Sequence, residues 1–435
     1  MRYTKAPTER SFWNVGMHIL LAPVGSHGDV HPFIGLGMGL QARGHRVTLI
    51  ASEIFGELAV RHGFEFAPTV TRIEYEQTIA NPDLWHPKRS ARVIFDDALM
   101  RKYLPIGYEQ IRKRYVPRDT VLLAGPLSLP ARVAHDKLGI PLATVHLAPI
   151  GLFSAVETSI YPTIRMRSWW PAPWKRTLFW MGERFSLDPL VRPQLNAFRA
   201  TLDLPPVRRV LGKWIHSPQL VLGLFPDWFG HAPDWPAQVR TPGFIRYDQA
   251  DTKPVPESVE AFLNAGDAPV VFSFGSAMRT GRSYFEAAVE ACRTLGRRGL
   301  FLAKATDQIP PNLPPTILQA DYVPFSAVFT RAAAVVHHGG IGTTAQALAA
   351  GVPQVIMPMS FDQPDNAERL RKLGVARVVP AAKFTGPTLT AALRDLSADP
   401  RVPGACADLQ ERLRRTDPMR DACDRIEGLR GTDTV

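Results

Sequence analysis

Short apolar runs alternate with helix-length amphipathic segments along most of the chain. In the first half, the runs HILLAP, RVTLIAS, TVLLAG and PLATVHLAP begin at residues 18, 46, 120 and 141. The first three are each followed by a segment with the apolar spacing of a helix, such as LPARVAHDKLG. Strands that alternate with helices in this way predict βαβ units and a parallel sheet covered on both faces.

The same alternation returns in the second half. It begins at APVVFSFGS (268–276), continues through LFLAKAT and TILQADYVP, and ends with AAVVHHGG and PQVIMPM. Between the two series, residues 229–260 are rich in proline and poor in apolar runs, which is typical of a connection between domains. We therefore predict an α/β protein of two doubly wound, Rossmann-like domains that face a central cleft.

The two series also predict the domain boundaries. A first domain over 17–240 precedes a second over 241–435, whose C-terminal helix is free to return to the first domain. Residues 1–16 precede the first apolar strand and lack the apolar core of a secretory signal, so we expect a disordered extension. The loops after the strands should carry the chemistry, because ligands of doubly wound sheets bind outside the carboxyl ends of the strands.

Composition narrows the possible partners. The chain has 435 residues and a formal net charge of +11, but its Lys and Arg residues are scattered, so we expect no nucleic-acid binding. No run of 18 apolar residues is present, and the three cysteines are too few and too irregularly spaced for a disulfide framework or a zinc site. We therefore expect a cytoplasmic protein without a membrane span.

The stretch VHHGGIGTTAQALAAG (336–351) combines a histidine pair, three glycines and two threonines just before a helical pattern. Glycines remove side chains where a ligand must approach the backbone, and they permit turns that other residues resist. We expect the helix to begin near Thr343 or Thr344, where its first N–H groups and its dipole would form a site for phosphate. A turn that serves only tight packing is the alternative on these residues alone.

Side chains of this stretch would add hydrogen-bond donors to a phosphate. His338 directly precedes the glycines, and the two threonines are suited both to cap a helix and to donate to phosphate oxygens. Gly340 and Gly342 would bring the backbone itself close to the ligand. No GK[ST] follows, and the turn lies too late in the chain for a dinucleotide fingerprint, so neither nucleotide hydrolysis nor hydride transfer is indicated.

Two long motifs lie in the two predicted domains, one in each. HHGGIGTTAQALAAGVPQVIMPMSFDQPDNAERLRKLG (337–374) resembles the donor-binding motif of the family-one nucleotide-sugar glycosyltransferases, and GSHGDVHPFIGLGMGLQARGHRVTLI (25–50) is similar to the opening of their acceptor domain. The resemblance implies the two-domain GT-B fold and transfer of a sugar from a nucleotide diphosphate. Shorter words, NPDLWHPK (81–88), WIHSPQ (214–219) and LFPDWF (224–229), resemble the bacterial rhamnosyltransferase B chain of rhamnolipid synthesis.

The family resemblance implies donor-binding roles for five further residues. Ser276 corresponds to a small hydroxyl that faces the phosphates, although an ordinary helix cap is an equally good interpretation. Asp362 and Gln363 resemble the acidic-plus-amide pair that hydrogen-bonds sugar hydroxyls. Val323 stands where many members stack a tryptophan on the nucleobase. Gln346 stands where users of UDP-sugars often carry a glutamate that binds both ribose hydroxyls, and the loss of that carboxylate favours a deoxyribose donor such as dTDP-rhamnose.

The loop GSHGDVHP offers a base for the acceptor hydroxyl. Its alignment with the family motif puts Asp29 in that role, with His27 or His31 as alternatives because histidine is the commonest proton-transfer side chain. Burial in a closed cleft would raise the pKa of the carboxyl group and strengthen it as a base. Alternatively, Asp29 only caps the next helix, although we expect His31 and Pro32 to open that helix. The chain contains no Asp-x-Asp, so we expect no metal at the diphosphate.

Residues 160–185 interrupt the alternation and carry four of the nine tryptophans. We interpret them as an aromatic insertion in the first domain that binds an apolar acceptor or lies at a membrane interface. Core packing of an inserted helix is the alternative. The predicted acceptor-binding residues are Trp169, Trp170, Trp174, Phe179 and Trp180.

Together these assignments predict an inverting, metal-independent glycosyltransferase that needs no cofactor besides its sugar-nucleotide co-substrate. The first hypothesis is transfer of L-rhamnose from dTDP-rhamnose to a hydroxyl of a lipid hydroxy acid such as a 3-(3-hydroxyalkanoyloxy)alkanoate. Such an acceptor suggests peripheral contact with the inner membrane, or a partner that supplies the lipid. The alternatives are a UDP-sugar enzyme for a sterol, polyketide or terpenoid, a non-catalytic nucleotide-sugar-binding partner, and a nucleotide-sugar epimerase.

Overall fold

Two parallel β-sheets form the centres of two α/β domains. The computed structural model describes residues 16–86, 88–161, 166–275, 281–304 and 306–430. Within these ranges the first sheet comprises β1 (His18–Ala22), β2 (Arg46–Ala51), β3 (Glu65–Pro68), β4 (Thr120–Ala124), β5 (Leu142–His146), β6 (Leu220–Gly223) and β7 (Val239–Arg240). The second comprises β8 (Val270–Ser273), β9 (Gly299–Leu302), β10 (Ile317–Ala320), β11 (Ala334–His337), β12 (Gln354–Ile356) and β13 (Ala376–Val378).

Both sheets are doubly wound. Their orders are β3-β2-β1-β4-β5-β6-β7 and β10-β9-β8-β11-β12-β13, and every neighbouring pair of strands is parallel. The direction of winding therefore reverses between β1 and β4 and between β8 and β11. Ligands of such sheets bind at these switch points.

Helices cover the faces of both sheets. In the first half they are α1 (His27–Ala42), α2 (Gly56–Arg61), α3 (Arg72–Ala80), α4 (Ser90–Ile94), α5 (Asp97–Arg112), α6 (Leu129–Leu138), α7 (Ala172–Gly182) and α8 (Asp188–Ala200). In the second half they are α9 (Glu257–Asn264), α10 (Arg282–Leu295), α11 (Phe325–Val328), α12 (Ile341–Ala350), α13 (Gln363–Lys372), α14 (Gly386–Ala398), α15 (Arg401–Arg414) and α16 (Pro418–Glu427). None of these helices is both long enough and apolar enough to cross a bilayer.

The apolar runs of the sequence form the buried strands. Every residue of β1, β4 and β5 is buried, because helices pack against both faces of the sheet. The last helix, α16, packs on the first domain, where Ala422, Cys423 and Ile426 join the core around α1. Arg43 Nη1 fixes this contact through Asp424 at 2.6 Å and Glu427 at 2.9 Å. The predicted fold class is confirmed.

Two helices begin earlier than expected. α1 begins at His27, because Ser26 and Asp29 form a reciprocal capping box, and Pro32 lies inside the helix instead of opening it. α12 begins at Ile341, because Gly340 is extended and acts as its N-cap residue. The expectations that the helices open at His31 and near Thr343 were therefore wrong by four and two residues.

Candidate active site

A cavity of about 1440 Å³ lies between the two sheets. Its walls come from the loops after β1, β4 and β5 on one side and from the loops after β8, β11 and β12 on the other. A pocket for one small-molecule ligand typically occupies about 300–1,000 Å³. The cavity therefore has room for two substrates at once.

The two histidines after β11 have different roles. His337 is fully buried, where Nε2 donates to Gln354 Oε1 at 2.9 Å and Nδ1 accepts the Gly339 N–H at 3.1 Å. His338 lines the cavity, and its ring lies close enough to the Ser273 backbone for that group to act on its pKa. Burial lowers the pKa of His338 to about 4, so the ring is neutral near pH 7 and has one N–H to donate.

The N-terminus of α12 opens into the cavity. The first helical bond joins the Thr344 N–H to the Gly340 carbonyl at 3.0 Å, and no side chain caps the helix. The preceding N–H groups, from Ile341 to Thr343, have no protein acceptor within the described ranges. Unpaired amides and the positive end of the helix dipole together favour a diphosphate at this point.

The two glycines of this turn are needed for different reasons. A Cβ atom on Gly340 would lie 2.5 Å from His338 Nε2, so any side chain there would displace the histidine. A Cβ atom on Gly342 would meet nothing within 4 Å and would project into open space. Gly340 therefore positions His338, whereas Gly342 leaves room for a ligand.

The remaining donor-side residues divide into three groups. Thr343, Gln346 and Val323 line the cavity, each with little exposed surface. Thr344 is completely buried outside the cavity walls, with no partner for Oγ1 among the described side chains. The expected contact between the Thr344 hydroxyl and a phosphate stays a prediction, although this side chain is buried outside the cavity walls. Ser276 lies outside the described residues.

Asp362 lies beside the cavity on the loop after β12. Its Oδ2 accepts a hydrogen bond from Asn366 Nδ2 at 2.7 Å, and the same amide donates to the Gly339 carbonyl at 2.9 Å. Asn366 thereby ties the loop after β12 to the glycine-rich turn. Burial raises the pKa of Asp362 to about 7, with a further contribution from Asp29 on the opposite domain. The two carboxyl groups therefore line the same cavity, close enough for Asp29 to affect the pKa of Asp362.

The side chain of Gln363 stabilises the loop after β12 through hydrogen bonds to its backbone. Its Oε1 accepts the backbone N–H groups of Met359 at 2.9 Å and Ser360 at 3.2 Å. The side-chain carbonyl is thus engaged by protein, and the Nε2 amide is the group that remains to meet a ligand. Phe361 before it adopts a left-handed backbone conformation with φ of 57°. Such a backbone in a residue other than glycine is costly and is typical of functional loops.

Asp29 lies at the third position of α1 and lines the cavity. Its Oδ2 accepts both the Ser26 N–H at 2.7 Å and the Ser26 hydroxyl at 3.2 Å. No hydrogen bond between described residues involves Oδ1. Burial raises the pKa of Asp29 against the opposing effect of the Ser26 hydrogen bonds. Asp29 therefore caps the helix with one oxygen, and the other has no hydrogen-bond partner among the described residues.

The two flanking histidines also line the cavity, where burial makes them weaker bases than a free histidine. His27 packs edge-on against His31 at 5.4 Å and against Phe55 at 5.2 Å, measured between ring centroids. His31 Nε2 lies 3.2 Å from Gln249 Nε2. Burial lowers the pKa of His27 to about 4 and that of His31 to about 3. Burial therefore weakens both histidines as bases, whereas it strengthens Asp29.

An aromatic cluster lines the part of the cavity that belongs to the first domain. Phe153 stacks on Phe179 with centroids 5.1 Å apart, and Tyr161 packs edge-on against both rings. All three residues line the cavity. Of the predicted acceptor-binding residues, Phe179 is therefore the one that the structure brings to the cavity.

The four predicted tryptophans lie elsewhere. Trp169, Trp174 and Trp180 expose 72%, 65% and 47% of their surface, Trp170 is partly exposed, and none of the four lines the cavity. The four tryptophans are therefore not part of the cavity wall, and their role as acceptor-binding residues stays a prediction. The helix α7 turns Phe179 and Lys175 inward, and this orientation leaves the tryptophans on the outer side.

Comparisons with known proteins identify the family. Residues 19–150 match the model of the glycosyltransferase family 28 N-terminal domain, and residues 301–421 match the erythromycin biosynthesis protein CIII-like, C-terminal domain. The O-mycaminosyltylonolide 6-deoxyallosyltransferase of Streptomyces fradiae is 32% identical over 450 residues, which cover 96% of this chain and 99% of that protein. The chain belongs to this family of nucleotide-sugar glycosyltransferases.

Further relatives agree with this assignment. The dTDP-epi-vancosaminyltransferase of Amycolatopsis orientalis is 25% identical to the glycosyltransferase over 89% of this chain and 91% of its own length. The solved structure of the glycotransferase of kitacinnamycin shares 24% identity and superposes with a TM-score of 0.73, covering 95% of this chain and 99% of that one. The predicted GT-B fold is thereby confirmed.

The described part of the glycosyltransferase contains no cluster of three or more His, Cys, Asp or Glu residues that would hold a metal ion. Instead, the groups that face the position of a diphosphate are backbone amides and a neutral imidazole. Their partial positive charges favour a negatively charged ligand at this point.

Sequence reasoning missed several cavity residues of the glycosyltransferase. Trp85 packs edge-on against Phe361 of the other domain with centroids 5.7 Å apart, and both residues line the cavity. Tyr322 lies next to Val323, with the amino groups of Lys253 and Lys304 at 4.6 Å and 5.8 Å from its ring centroid. Trp85 stands in the word NPDLWHPK, whose resemblance to rhamnosyltransferases was the available signal. No local pattern marks Tyr322.

Proposed function

We propose that this glycosyltransferase moves a deoxysugar, with L-rhamnose as the first candidate, from a dTDP donor to the hydroxyl group of a lipid hydroxy acid. The observation that carries the proposal is the pair of groups on opposite sides of one cavity. The uncapped amides of α12 suit a departing diphosphate, and Asp29 suits the incoming hydroxyl.

The transfer step follows from this placement. The bond between the anomeric carbon and the diphosphate breaks, and its electron pair leaves with the diphosphate oxygen. The acceptor oxygen bonds the same carbon from the opposite face, which inverts the configuration, and its proton passes to the Asp29 carboxylate. Negative charge that grows on the diphosphate meets the α12 amides and His338, so these groups stabilise the transition state more than the bound donor.

Several observations favour a dTDP donor. Gln346 lines the cavity where family members that use UDP-sugars often carry a carboxylate for the ribose hydroxyls. An amide in that place is better matched to deoxyribose, which lacks the 2′-hydroxyl. The names of the two relatives above specify a deoxyallosyl group and a dTDP-linked sugar. These names support a deoxysugar donor for this chain as well.

Two cations at the cavity favour an acidic acceptor. Lys88 and Arg92 line the wall near Trp85, are exposed, and form no ion pair among the described residues. They are suited to the carboxylate of a hydroxy acid, while the cluster of Phe153, Tyr161 and Phe179 is suited to its apolar chain. The resemblance of NPDLWHPK to the rhamnosyltransferases is consistent with this assignment.

A second candidate is transfer to a polyketide or sterol, with a UDP-sugar or a dTDP-sugar as donor. It is favoured by the Streptomyces fradiae relative, whose name specifies a macrolide acceptor, and by a cavity large enough for such a molecule. This candidate makes no use of Lys88 and Arg92.

A panel that combines each donor with each acceptor tests the proposal. The protein is incubated with dTDP-rhamnose, dTDP-glucose or UDP-glucose, each with a lipid hydroxy acid, its methyl ester, a sterol or a macrolide aglycone. Mass spectrometry should detect a rhamnosylated hydroxy acid, with less product from the ester because its carboxylate is masked. Product from the macrolide or sterol alone would support the second candidate, and loss of donor without acceptor would indicate an epimerase or hydrolase.

A further inference from the structure

The insertion helix α7 places its apolar side toward solvent. At about 100° per residue, Trp174, Trp180 and Met181 lie on one side of the helix, with exposed fractions of 65%, 47% and 45%. The opposite side buries Phe179 together with Lys175, whose amino group donates to the Ser168 carbonyl at 3.0 Å. A surface helix normally shows the reverse arrangement.

The apolar surface continues beyond the helix. Phe185 is 64% exposed and packs edge-on against Trp180 with centroids 6.1 Å apart. The guanidinium of Arg184 lies over the Phe185 ring at 5.5 Å. Phe185 also lines the cavity, so the exposed aromatic surface reaches the wall of the active site. An extended apolar patch of this kind marks a binding surface rather than ordinary surface variation.

Four arginines border the same patch. A groove of about 340 Å³ is lined by Trp180, Asp188, Arg184, Arg192, Arg208 and Arg209. Arg209 pairs with Glu183 at 3.0 Å, and the Asp188 carboxylate accepts the Arg209 and Val210 N–H groups at 3.1 Å each. Arg192 and Arg208 form no ion pair within the described ranges. The groove therefore offers uncompensated positive charge beside exposed indole rings.

The root of the insertion is rigid. Glu183 is buried, and its Oε1 accepts the Gly212 N–H at 2.6 Å, which joins the π-helical segments Glu183–Leu187 and Val210–Trp214. The outer face of α7 is thus held in a fixed orientation relative to the groove.

We propose that this docking face, formed by Trp174, Trp180, Met181 and Phe185 with Arg184, Arg192 and Arg208, binds the surface of an anionic lipid bilayer. Indole rings favour the headgroup region of a bilayer, and arginines favour lipid phosphates. A second copy of the chain fits less well, because a symmetric contact would bring two arginine grooves together. The inference rests on the proposed function in one respect, which is the benefit of bilayer binding. An apolar acceptor leaves the bilayer beside Phe185 and enters the cavity.

Vesicle co-sedimentation in the absence of donor and acceptor tests the docking face independently of the transfer reaction. The protein should bind vesicles of phosphatidylglycerol with phosphatidylcholine, bind phosphatidylcholine alone more weakly, and be released by salt. Trp174→Ala/Trp180→Ala should weaken binding to the mixed vesicles by about tenfold. Arg192→Gln/Arg208→Gln should lose mainly the preference for phosphatidylglycerol.

Matched controls separate the docking face from general effects. Val60→Ala/Ile73→Ala removes side chains of similar exposure from α2 and α3 and should leave vesicle binding unchanged. All variants should retain the wild-type affinity for dTDP, which reports folding. Equal binding by the wild type and the tryptophan variant, or no binding of the wild type to anionic vesicles, would overturn the proposal. Self-association that the tryptophan variant abolishes would assign the face to a second copy instead.

Discussion

The glycine-rich turn after β11 and the aromatic insertion around α7 both resemble ligand sites in the sequence. The turn directs its functional groups into the cavity, whereas the insertion directs its tryptophans toward solvent. The turn buries His337 in the core and opens His338 and the amides of α12 into the cavity. The insertion buries Lys175 and leaves three tryptophans largely exposed. A site made by backbone can be located from a local motif, whereas a site made by side chains depends on which face of a helix is packed.

The difference extends to how the two halves of the active site are built. In the proposed function, the donor binds at backbone N–H groups whose positions are fixed by the helix itself. The acceptor binds at side chains from several distant segments, such as Phe153, Tyr161 and Phe179. We therefore expect substitutions in the two halves to separate donor binding from turnover.

Asp29→Asn should separate donor binding from turnover most clearly and should have the largest effect on turnover. The amide cannot take a proton, so kcat should fall by about 10²–10⁴-fold, while the affinity for dTDP should stay near the wild-type value. Asn can still accept the Ser26 N–H bond, so the capping box is largely kept. Steady-state kinetics and dTDP titration give both values.

Asp29→Ala serves as the companion variant. It should lose the same turnover and also the cap, with a loss of about 0.5–2 kcal/mol in the free energy of unfolding. Nearly normal turnover in Asp29→Asn would remove Asp29 from the proton transfer and direct attention to His27 and His31.

The next comparison is between substitutions of two glycines in the proposed donor half. Gly340→Ala should displace His338, because its Cβ atom would lie 2.5 Å from Nε2, and should lower both the thermal stability and the dTDP affinity, the latter by about tenfold. Gly342→Ala meets no protein atom within 4 Å and adds a better helix former, so its thermal stability should be unchanged or higher.

Gly342→Ala should nevertheless weaken dTDP binding, because its methyl group would project into the space in front of the α12 amides. Isothermal titration with dTDP and thermal unfolding measure the two effects separately. Wild-type affinity in Gly342→Ala would show that the diphosphate does not bind at these amides.

More of the fold than of the candidate site could be predicted from the sequence. Buried strands such as β1 and β4 are continuous apolar runs, and each is followed by a helical pattern, so the doubly wound order follows from general rules of connection. The short strands β3, β7 and β13 carry no such run and were missed, as was the buried strand β6. The sequence offers Asp29 as a helix cap only as an alternative, because His31 and Pro32 suggest a later helix start, whereas Pro32 lies within α1.

The contacts between the two domains could not be predicted from the sequence. The pairing of Trp85 with Phe361 joins segments far apart in the chain, and no local pattern relates them. The same holds for the effect of Asp29 on Asp362, which depends on how the two sheets face one another. Local motifs therefore identified both carboxyl groups but not their proximity.

A pH series tests the burial of Asp362. The pKa of Asp362 is raised from 3.8 to about 7, chiefly by burial, so the folded state holds a proton that the unfolded state has already lost. The contribution of this group to stability is present below its unfolded pKa and is lost as pH rises toward about 7. Asp362→Asn cannot ionise and keeps an acceptor for Asn366. The melting temperature of the wild type should therefore fall relative to that of Asp362→Asn over this pH range, whereas a constant difference would place the carboxyl group in solvent.

The smallest expected effect concerns the nucleoside. Gln346→Glu introduces the carboxylate that binds two ribose hydroxyls in users of UDP-sugars, and a hydrogen bond to a charged group contributes about 1.5–3 kcal/mol before its desolvation is subtracted. We expect UDP to gain a few-fold in affinity while dTDP, which lacks the 2′-hydroxyl, gains little. Gln346→Ala is the control, since it removes the amide without adding a charge. Equal gains for UDP and dTDP would mean that residue 346 does not contact the sugar of the nucleoside, and the proposed choice of dTDP would then lose this support.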